Sequence, residues 1–184
     1  VIEAAPKLIS IAKYGAGLDN IDVEEATRRG IVVTYAPGAN AEAVAELTIG
    51  HALCLARMIP QADASLKAGR WEKPRFVGVE LNGKTWGIIG LGRIGSRVAV
   101  KARGLGMRVI AYDPYVKKEQ AEKLGVELVD LDTLLREADV VSIHVPLTEE
   151  TRGLIGREEL RKMKKTAFLI NVARGAVVDE GALY

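Results

Sequence analysis

The feature that most constrains the fold is the run Lys84–Gly95, KTWGIIGLGRIG. An apolar stretch, Trp86–Ile89, leads directly into glycines spaced G-x-G-x-x-G, which is typical of a buried parallel strand that turns into a helix. Gly90 permits the tight turn, Gly92 lets backbone approach a pyrophosphate, and Gly95 lets the helix pack on the strand. The run predicts a dinucleotide site; a purely structural glycine turn is the alternative.

An acid stands at the tip of the next predicted strand. Asp113 follows Arg108–Tyr112, and a carboxylate there can accept both ribose hydroxyls of NAD and would repel a 2′-phosphate. Pro114 and Tyr115 come next, with no arginine to receive that phosphate. The sequence therefore predicts NAD rather than NADP, with the phosphates bound at the N-terminus of the following helix.

From Lys84 onward, predicted strands alternate with predicted helices. The strands are Lys84–Ile89, Arg108–Tyr112, Glu127–Val129, Val140–His144 and Ala167–Val172, and the helices are Arg93–Gly104, Lys117–Leu124, Leu131–Ala138 and Arg157–Lys162. This alternation predicts an α/β fold with a doubly wound parallel sheet, the Rossmann arrangement. We expect a sixth strand that the 184 residues do not supply.

The first part of the chain predicts fewer elements. It contains strand Leu8–Lys13, helix Asp22–Arg29, strand Ile31–Thr34, a helix Ala41–Ile59 capped by Asn40 and broken at Pro60, a second helix Gln61–Ala68, and an irregular loop Arg70–Gly83. The long helix is apolar around most of its circumference, so we expect it to be buried on several sides, with His51 in the core or at an interface.

Composition excludes several classes of protein. The net charge is +2 with no polybasic run, so neither nucleic acid nor an anionic membrane is an expected partner. A single cysteine, Cys54, excludes an intramolecular disulfide framework, and we expect it to be a core residue. No apolar run reaches membrane-spanning length, and no signal peptide opens the chain, so we expect a cytoplasmic protein. We expect no metal site.

Ligands of doubly wound sheets bind beyond the carboxyl ends of the strands. That edge includes the glycine turn, Asp113, His144-Val145-Pro146 and Val172-Ala173-Arg174. The Arg174 guanidinium could bind a substrate carboxylate with two hydrogen bonds and polarise a carbonyl group. The alternative is a surface arginine in a turn.

Several motifs together resemble the D-2-hydroxyacid dehydrogenase family. They are AGLDNID at Ala16–Asp22, ANAEAVAEL at Ala39–Leu47, LNGKTWGIIGLGRIG at Leu81–Gly95, AYDP at Ala111–Pro114, HVPLTEETRGLI at His144–Ile155 and INVARGAVVDEGAL at Ile170–Leu183. Within that family, the segment Cys54–Gly95 is most similar to the D-3-phosphoglycerate dehydrogenases. The resemblance implies NAD-dependent oxidation of 3-phosphoglycerate to 3-phosphohydroxypyruvate, the first step toward serine.

The resemblance also implies residue roles. Cofactor contacts are implied for Ala16, Gly90, Gly92, Arg93, Ile94, Gly95, Asp113, Pro114, His144, Val145, Pro146, Thr151, Val172 and Ala173. Substrate contacts are implied for Ala16, Gly17 and Arg174, and Arg174 matches the catalytic arginine. The family's general acid/base histidine and its glutamate partner have no match here. His144 is expected to line the adenosine side rather than act as that base.

The resemblance suggests how the domains are arranged. Residues 1–36 are expected to be the remnant of a flavodoxin-like substrate domain that packs against something else, and residues 37–184 a dinucleotide-binding domain incomplete at its C-terminus. We read the chain as truncated at both ends, and we expect a homodimer formed through Asn40–Ala68. Whether the chain as given turns over a 2-hydroxy or 2-oxo acid stays open.

Three alternatives remain at this point. The first is a glyoxylate or hydroxypyruvate reductase, which shares the same motifs. The second is a non-catalytic NAD(H)-binding module of the corepressor type, and the third is an engineered scaffold. A phosphorylated substrate needs a cation near the site, for which Lys13 is a candidate; a solvated lysine is the equal alternative.

Overall fold

Strands and helices alternate along the computed structural model, which describes residues 1–184. In chain order the elements are β1 (Ser10–Ala12), α1 (Val23–Arg28), β2 (Val32–Thr34), α2 (Ala41–Arg57), α3 (Ile59–Lys67), β3 (Thr85–Ile89), α4 (Arg93–Gly104), β4 (Arg108–Tyr112), α5 (Lys118–Lys123), β5 (Glu127–Leu128), α6 (Leu131–Glu137), β6 (Val140–Ile143), α7 (Arg157–Lys162), β7 (Phe168–Asn171) and α8 (Glu180–Leu183). Short 3-10 turns lie at Lys73–Arg75 and Gly175–Val177. Two compact units result, Val1–Ala43 and Val44–Tyr184.

The second unit is built on a five-stranded sheet in the order β5-β4-β3-β6-β7. All four strand pairs are parallel, and Ile88 in the centre lies opposite Ala111 on one side and Ser142 on the other. The chain runs outward from β3 to β5 and then returns to build β6 and β7 on the other side. This arrangement confirms the predicted doubly wound parallel sheet and places its switch point between β3 and β6.

Apolar side chains cover both faces of this sheet. On one face Trp86 and Ile88 pack with residues of α4 and α5, including Val98 and Ala121. On the other face β3 and β4 pack with α6, where Leu134 and Leu135 are fully buried. Because both faces are covered, β3 and β6 are almost continuously apolar, as expected for central parallel strands.

Helix α2 differs from its prediction in two ways. Its buried stripe consists of small residues, among them Ala45, Ala52 and Ala56, whereas Leu47 and Leu55 are about half exposed. His51 lies on the exposed face as well, so its predicted place in a packed core is wrong, whereas a place at an interface stays a prediction. Only one side of the helix is buried, and that side packs in the apolar cluster that covers one face of the sheet.

The break after α2 was also predicted at the wrong residue. It falls at Met58, whose φ of 54° is left-handed, and α3 begins at Ile59. Pro60 then occupies the first turn of α3, where its missing N–H has no helical partner to lose. Taken singly, none of the helices is long and apolar enough to cross a membrane; α2 and α3, bent by 65°, pass that test only as a pair.

The first unit consists of the parallel pair β1 and β2 with helix α1. The side chain of Asp22 caps α1 by accepting a hydrogen bond from the Glu25 N–H at 2.8 Å. The pair leaves apolar surface uncovered, with Ile9 79% and Val32 60% exposed. A cavity of about 580 Å³ lies in this unit and is lined by residues that include Ile11 and Glu25.

Candidate functional site

The glycine turn between β3 and α4 is compact for steric reasons. Gly90 has a φ of +92°, and a Cβ there would lie 2.9 Å from Val145 Cγ1. A Cβ on Gly95 would lie 2.1 Å from the Gly90 carbonyl oxygen. The first glycine therefore makes the turn and the third brings α4 against β3, as the spacing predicts.

Gly92 has a different environment from the other two glycines, Gly90 and Gly95. A Cβ built there would meet no atom within 4 Å, and its φ of −77° is open to any residue. Packing therefore does not require this glycine. It forms the N-cap of α4, a helix of 12 residues with no acid in its first turn and Arg93 at its first position. Such an end offers free N–H groups and open space to an anion such as a phosphate.

Asp113 is tied to the glycine turn. Its Oδ2 atom accepts a hydrogen bond from the Leu91 N–H at 2.8 Å, and its Oδ1 atom accepts one from the Tyr115 N–H at 2.9 Å. Each carboxylate oxygen has a second lone pair, so both remain able to accept a hydroxyl. The backbone thus holds the carboxylate in one orientation, an interaction that the sequence did not reveal.

A cavity of about 260 Å³ brings together predicted residues from the ends of β3, β4 and β6. Its lining includes Gly90, Gly92, Asp113, Pro114, His144, Val145, Pro146 and Thr151. Arg93, Ile94 and Gly95 continue from this lining as the first residues of α4. We call this cavity the cofactor cleft below.

Tyr115 and Glu150 also line the cleft, although neither was predicted as a site residue. Tyr115 donates a hydrogen bond from its hydroxyl to Glu150 Oε2 at 3.0 Å, and both side chains line the cleft. The neighbouring carboxylate raises the pKa of Tyr115. This bond joins the loop after β4 to the loop after β6, and no sequence motif signals a contact between side chains so far apart in the chain.

Thr151 shapes the loop after β6. Its hydroxyl donates to the Pro146 carbonyl at 2.6 Å and accepts from the Thr148 N–H at 2.8 Å. The side chain thus closes the loop that carries Val145 and Pro146 into the cleft. Both hydrogen bonds of the hydroxyl lie within the loop, so the side chain stabilises the loop. A direct hydrogen bond from Thr151 to the cofactor stays a prediction.

His144 is held by buried partners. Its Nε2 atom lies 2.9 Å from Ser142 Oγ, which also accepts a hydrogen bond from Trp86 Nε1 at 2.8 Å. Burial lowers the pKa of His144 to about 4, so the imidazole is neutral at pH 7. A neutral, buried ring bound to a serine fits a wall residue better than a general base.

The end of β7 carries the predicted nicotinamide-side residues. Ala173 and Arg174 line a separate cavity of about 300 Å³, and Val172 packs against the core. Asn171 braces this turn, accepting from the Ala173 N–H at 3.0 Å and donating to the Arg174 carbonyl at 2.9 Å. The brace from Asn171 was not predicted, although an asparagine before a turn is a usual signal for one.

Ala16 and Gly17 belong to the first unit, in the half-buried turn that follows β1. Gly15 gives this turn a φ of +134°, and its carbonyl accepts from the Ala36 N–H at 3.0 Å. Lys13 precedes the turn and donates its backbone N–H to Thr34 at 2.8 Å. The contacts implied for Ala16 and Gly17 stay a prediction.

The cofactor cleft fits NAD by its own chemistry. Gly92 leaves room where a pyrophosphate would meet the start of α4, and Asp113 offers lone pairs to a ribose. Arg93 adds a positive charge at the phosphate end. When bound, NAD supplies a nicotinamide ring that accepts or donates hydride; the residues described here supply position and charge.

Comparison with known proteins agrees with this geometry. Residues 49–184 match the model of the D-isomer specific 2-hydroxyacid dehydrogenase family, NAD binding domain. The chain is 56% identical along its whole length to D-3-phosphoglycerate dehydrogenase of Methanocaldococcus jannaschii, of which it spans 35%. It is 50% identical, again over the whole chain, to glyoxylate reductase of Thermococcus litoralis, of which it spans 57%.

A solved structure shows the same fold. The crystal structure of D-lactate dehydrogenase from Aquifex aeolicus complexed with NAD and lactic acid matches the entire chain with a TM-score of 0.89 and 40% identity, over 55% of that protein. The prediction of NAD as cofactor is confirmed by the family model. The family model matches most of the chain, and the two relatives are at least 50% identical over its whole length, so this protein belongs to the D-isomer specific 2-hydroxyacid dehydrogenase family.

Proposed function

We propose that this chain is the NAD-binding part of a D-3-phosphoglycerate dehydrogenase, which oxidises 3-phosphoglycerate to 3-phosphohydroxypyruvate. The observation that carries the cofactor role is the open space at Gly92 beside the tethered carboxylate of Asp113. The 56% identity to the Methanocaldococcus jannaschii enzyme favours the phosphorylated substrate. In this proposal residues 37–184 form the dinucleotide-binding domain and residues 1–36 belong to the substrate domain.

The cofactor lies along the carboxyl edge of the sheet in this proposal. The backbone of Arg93 and Ile94 binds the pyrophosphate, and Asp113 accepts the hydroxyls of the adenosine ribose. Val145 borders the adenine, while Val172 and Ala173 border the nicotinamide. These positions follow the strand order, because β4, β3, β6 and β7 end successively along one edge.

Arg174 binds the substrate carboxylate and polarises its 2-oxo group in this account. A guanidinium suits this role because it offers paired donors to a carboxylate and keeps its charge at all working pH values. The family's acid/base histidine has no match among these residues, so binding rather than turnover is the property to test.

A glyoxylate reductase activity is the second candidate, favoured by the 50% identity to the Thermococcus litoralis enzyme. The two candidates differ in whether the substrate carries a phosphate. A phosphate needs a nearby cation, and Lys13, at the tip of β1 before the Ala16 turn, is our candidate for it.

Calorimetric titration of the NADH-saturated chain can separate these candidates. We expect 3-phosphohydroxypyruvate to bind roughly tenfold more tightly than hydroxypyruvate, which lacks only the phosphate. Lys13→Ala should remove that difference, whereas Lys7→Ala, the same change before β1, should keep it. Equal binding of both compounds by the unmodified chain would contradict the phosphorylated substrate and favour the reductase.

We also propose that α2 and α3 form a homodimer interface. The exposed apolar residues of this segment are Leu47, Leu55, Ile59 and Leu66. Large apolar side chains so close together on one segment are typical of an interaction surface. A second copy of the chain would cover the face of α2 that the sheet leaves open.

A further inference from the structure

Two buried side chains and the half-buried His144 form a continuous hydrogen-bonded chain between β3, β6 and the cofactor cleft. Trp86 Nε1 lies 2.8 Å from Ser142 Oγ, which lies 2.9 Å from His144 Nε2. Trp86 and Ser142 are both 0% exposed, and Ser142 is one of few buried polar residues. His144 is the member that lines the cleft.

The direction of each bond follows from the donors available. The indole N–H of Trp86 is only a donor, so Ser142 Oγ must accept it. The Ser142 hydroxyl has one hydrogen left to donate, and its remaining close partner is His144 Nε2. If the serine donates, Nε2 is the acceptor and the ring proton of the neutral imidazole lies on Nδ1.

The opposite direction is less favourable. If Nε2 carried the proton and donated to Ser142, the serine hydrogen would lose its acceptor in a fully buried site. The Nδ1 atom is buried without a hydrogen-bond partner in either case. The first arrangement therefore leaves one buried polar group unsatisfied and the second leaves two, and each such group costs about 1–3 kcal/mol.

We propose that Ser142, oriented by Trp86, is a positioning residue that fixes His144 as the neutral Nδ1–H tautomer in the wall of the cofactor cleft. The functional half of this inference rests on the proposed NAD site. Trp86 anchors the serine from β3, and β3 leads directly into the glycine turn. The chain of bonds thus links the imidazole to the same strand that sets the pyrophosphate position.

In this proposal the link holds the wall of the cleft in place. The backbone of His144 lies beside Gly90, where a Cβ would come within 3.0 Å of the His144 carbonyl carbon. A shift of the His144 backbone would therefore disturb the turn proposed to receive the cofactor. By fixing the ring, Ser142 keeps the glycine turn and the proposed adenosine wall of the cleft in a constant relative position.

The 184-residue chain contains two histidines, so nitrogen NMR of isotope-labelled histidine can test the assignment without cofactor. His51, on the exposed face of α2, serves as the internal reference. We expect His144 to show a protonated Nδ1 and an unprotonated Nε2. Ser142→Ala should convert this signal to a mixture of tautomers, and Ser142→Cys should partly restore it, since a thiol is a weak donor.

NADH affinity gives the second readout. Ser142→Ala should weaken NADH binding about fivefold, the size expected when one hydrogen bond is lost. Thr27→Ala removes a hydroxyl on the exposed helix α1 and should change neither the His144 signal nor the affinity.

Specific results would overturn the inference. A proton on Nε2 in the unmodified chain, or an unchanged His144 signal in Ser142→Ala, would contradict the hydrogen-bond assignment. A changed tautomer with unchanged NADH affinity would contradict the positioning role. Because the imidazole is measured without cofactor, an unmodified chain with the expected tautomer but no NADH binding would support the bond assignment and contradict only the proposed site.

Discussion

The Leu91 N–H donates to Asp113 Oδ2 at 2.8 Å, so the glycine turn after β3 is bonded to the acid that ends β4. A second bond, from the Tyr115 N–H to Oδ1, holds the other carboxylate oxygen. The turn proposed to bind the pyrophosphate and the acid proposed to bind the ribose are thus part of one hydrogen-bonded unit. Changes to Asp113 should therefore affect the turn as well as the ribose contact.

Asp113→Asn should lower NADH affinity by roughly tenfold and reduce the preference for NADH over NADPH. The amide retains one oxygen, so its NH₂ group must face one of the two backbone donors, and the charge that repels a 2′-phosphate is gone. Fluorescence titration with both cofactors measures the change. Asp132→Asn, the same substitution on α6, should alter neither affinity, and an unchanged cofactor ratio in Asp113→Asn would contradict the selector role.

Gly92→Ala should weaken cofactor binding without destabilising the fold. Its methyl group meets no protein atom within 4 Å, so the free energy of unfolding should stay within about 1 kcal/mol of the parent value. The methyl occupies the approach of the pyrophosphate, so NADH binding should fall by more than about tenfold.

Gly104→Ala is the matched control at the other end of α4, where a Cβ also meets nothing within 4 Å. It should stabilise the helix by up to about 1 kcal/mol and leave NADH binding unchanged. Urea unfolding and NADH titration of both variants provide the test. Full NADH affinity in Gly92→Ala would show that no phosphate approaches this glycine.

Much of this arrangement was predictable from residue patterns. The predicted bounds of α4, β4 and α7 agree with the structure, because glycine turns and apolar runs separate these elements clearly. The glycine turn was also predictable, since steric limits at Gly90 and Gly95 depend on local geometry. Features that depend on the spacing of residues within one element can be predicted directly from the sequence.

Contacts between distant elements were not predictable in the same way. The Tyr115–Glu150 bond and the Asp113–Leu91 bond join loops whose relative position is set by the sheet order. The exposed position of His51 was missed because hydropathy marks an apolar helix without saying which neighbours cover it. The break at Met58 was assigned to Pro60, since a proline in a first turn looks the same in sequence as one that ends a helix.

His144 should make stability fall as the solution becomes acidic. Its folded pKa of about 4 lies below the ordinary value of 6.5, so its contribution is complete above pH 6.5 and is lost as the pH falls toward 4. The shift predicts a loss of about 2 kcal/mol between pH 7 and pH 5.

In His144→Gln the amide oxygen can still accept a hydrogen bond from Ser142, but the side chain does not titrate. This variant should therefore lose about 2 kcal/mol less stability than the parent between pH 7 and pH 5. Chemical denaturation of both proteins at several pH values gives the comparison. Parallel stability curves for the two proteins from pH 7 to pH 5 would be incompatible with a neutral, buried His144.

Leu47→Glu combined with Leu55→Glu should convert a dimer to a monomer. The charges would be placed on the exposed face of α2, so the fold of the monomer should be retained while association is lost. Sedimentation velocity measures the mass. Val100→Glu, a matched change at a 57% exposed position on α4, should leave the dimer intact, and a monomeric parent chain would rule out the interface.

The most direct test of the account is energy transfer from Trp86 to bound NADH in a Trp71→Phe variant, where Trp86 is the remaining tryptophan. Trp86 is fully buried in β3, the strand that leads into the glycine turn. The account predicts saturable transfer with NADH and binding of NADPH that is weaker by roughly tenfold or more. No transfer with either cofactor, or equal affinity for both, would contradict an NAD site built on Gly92 and Asp113.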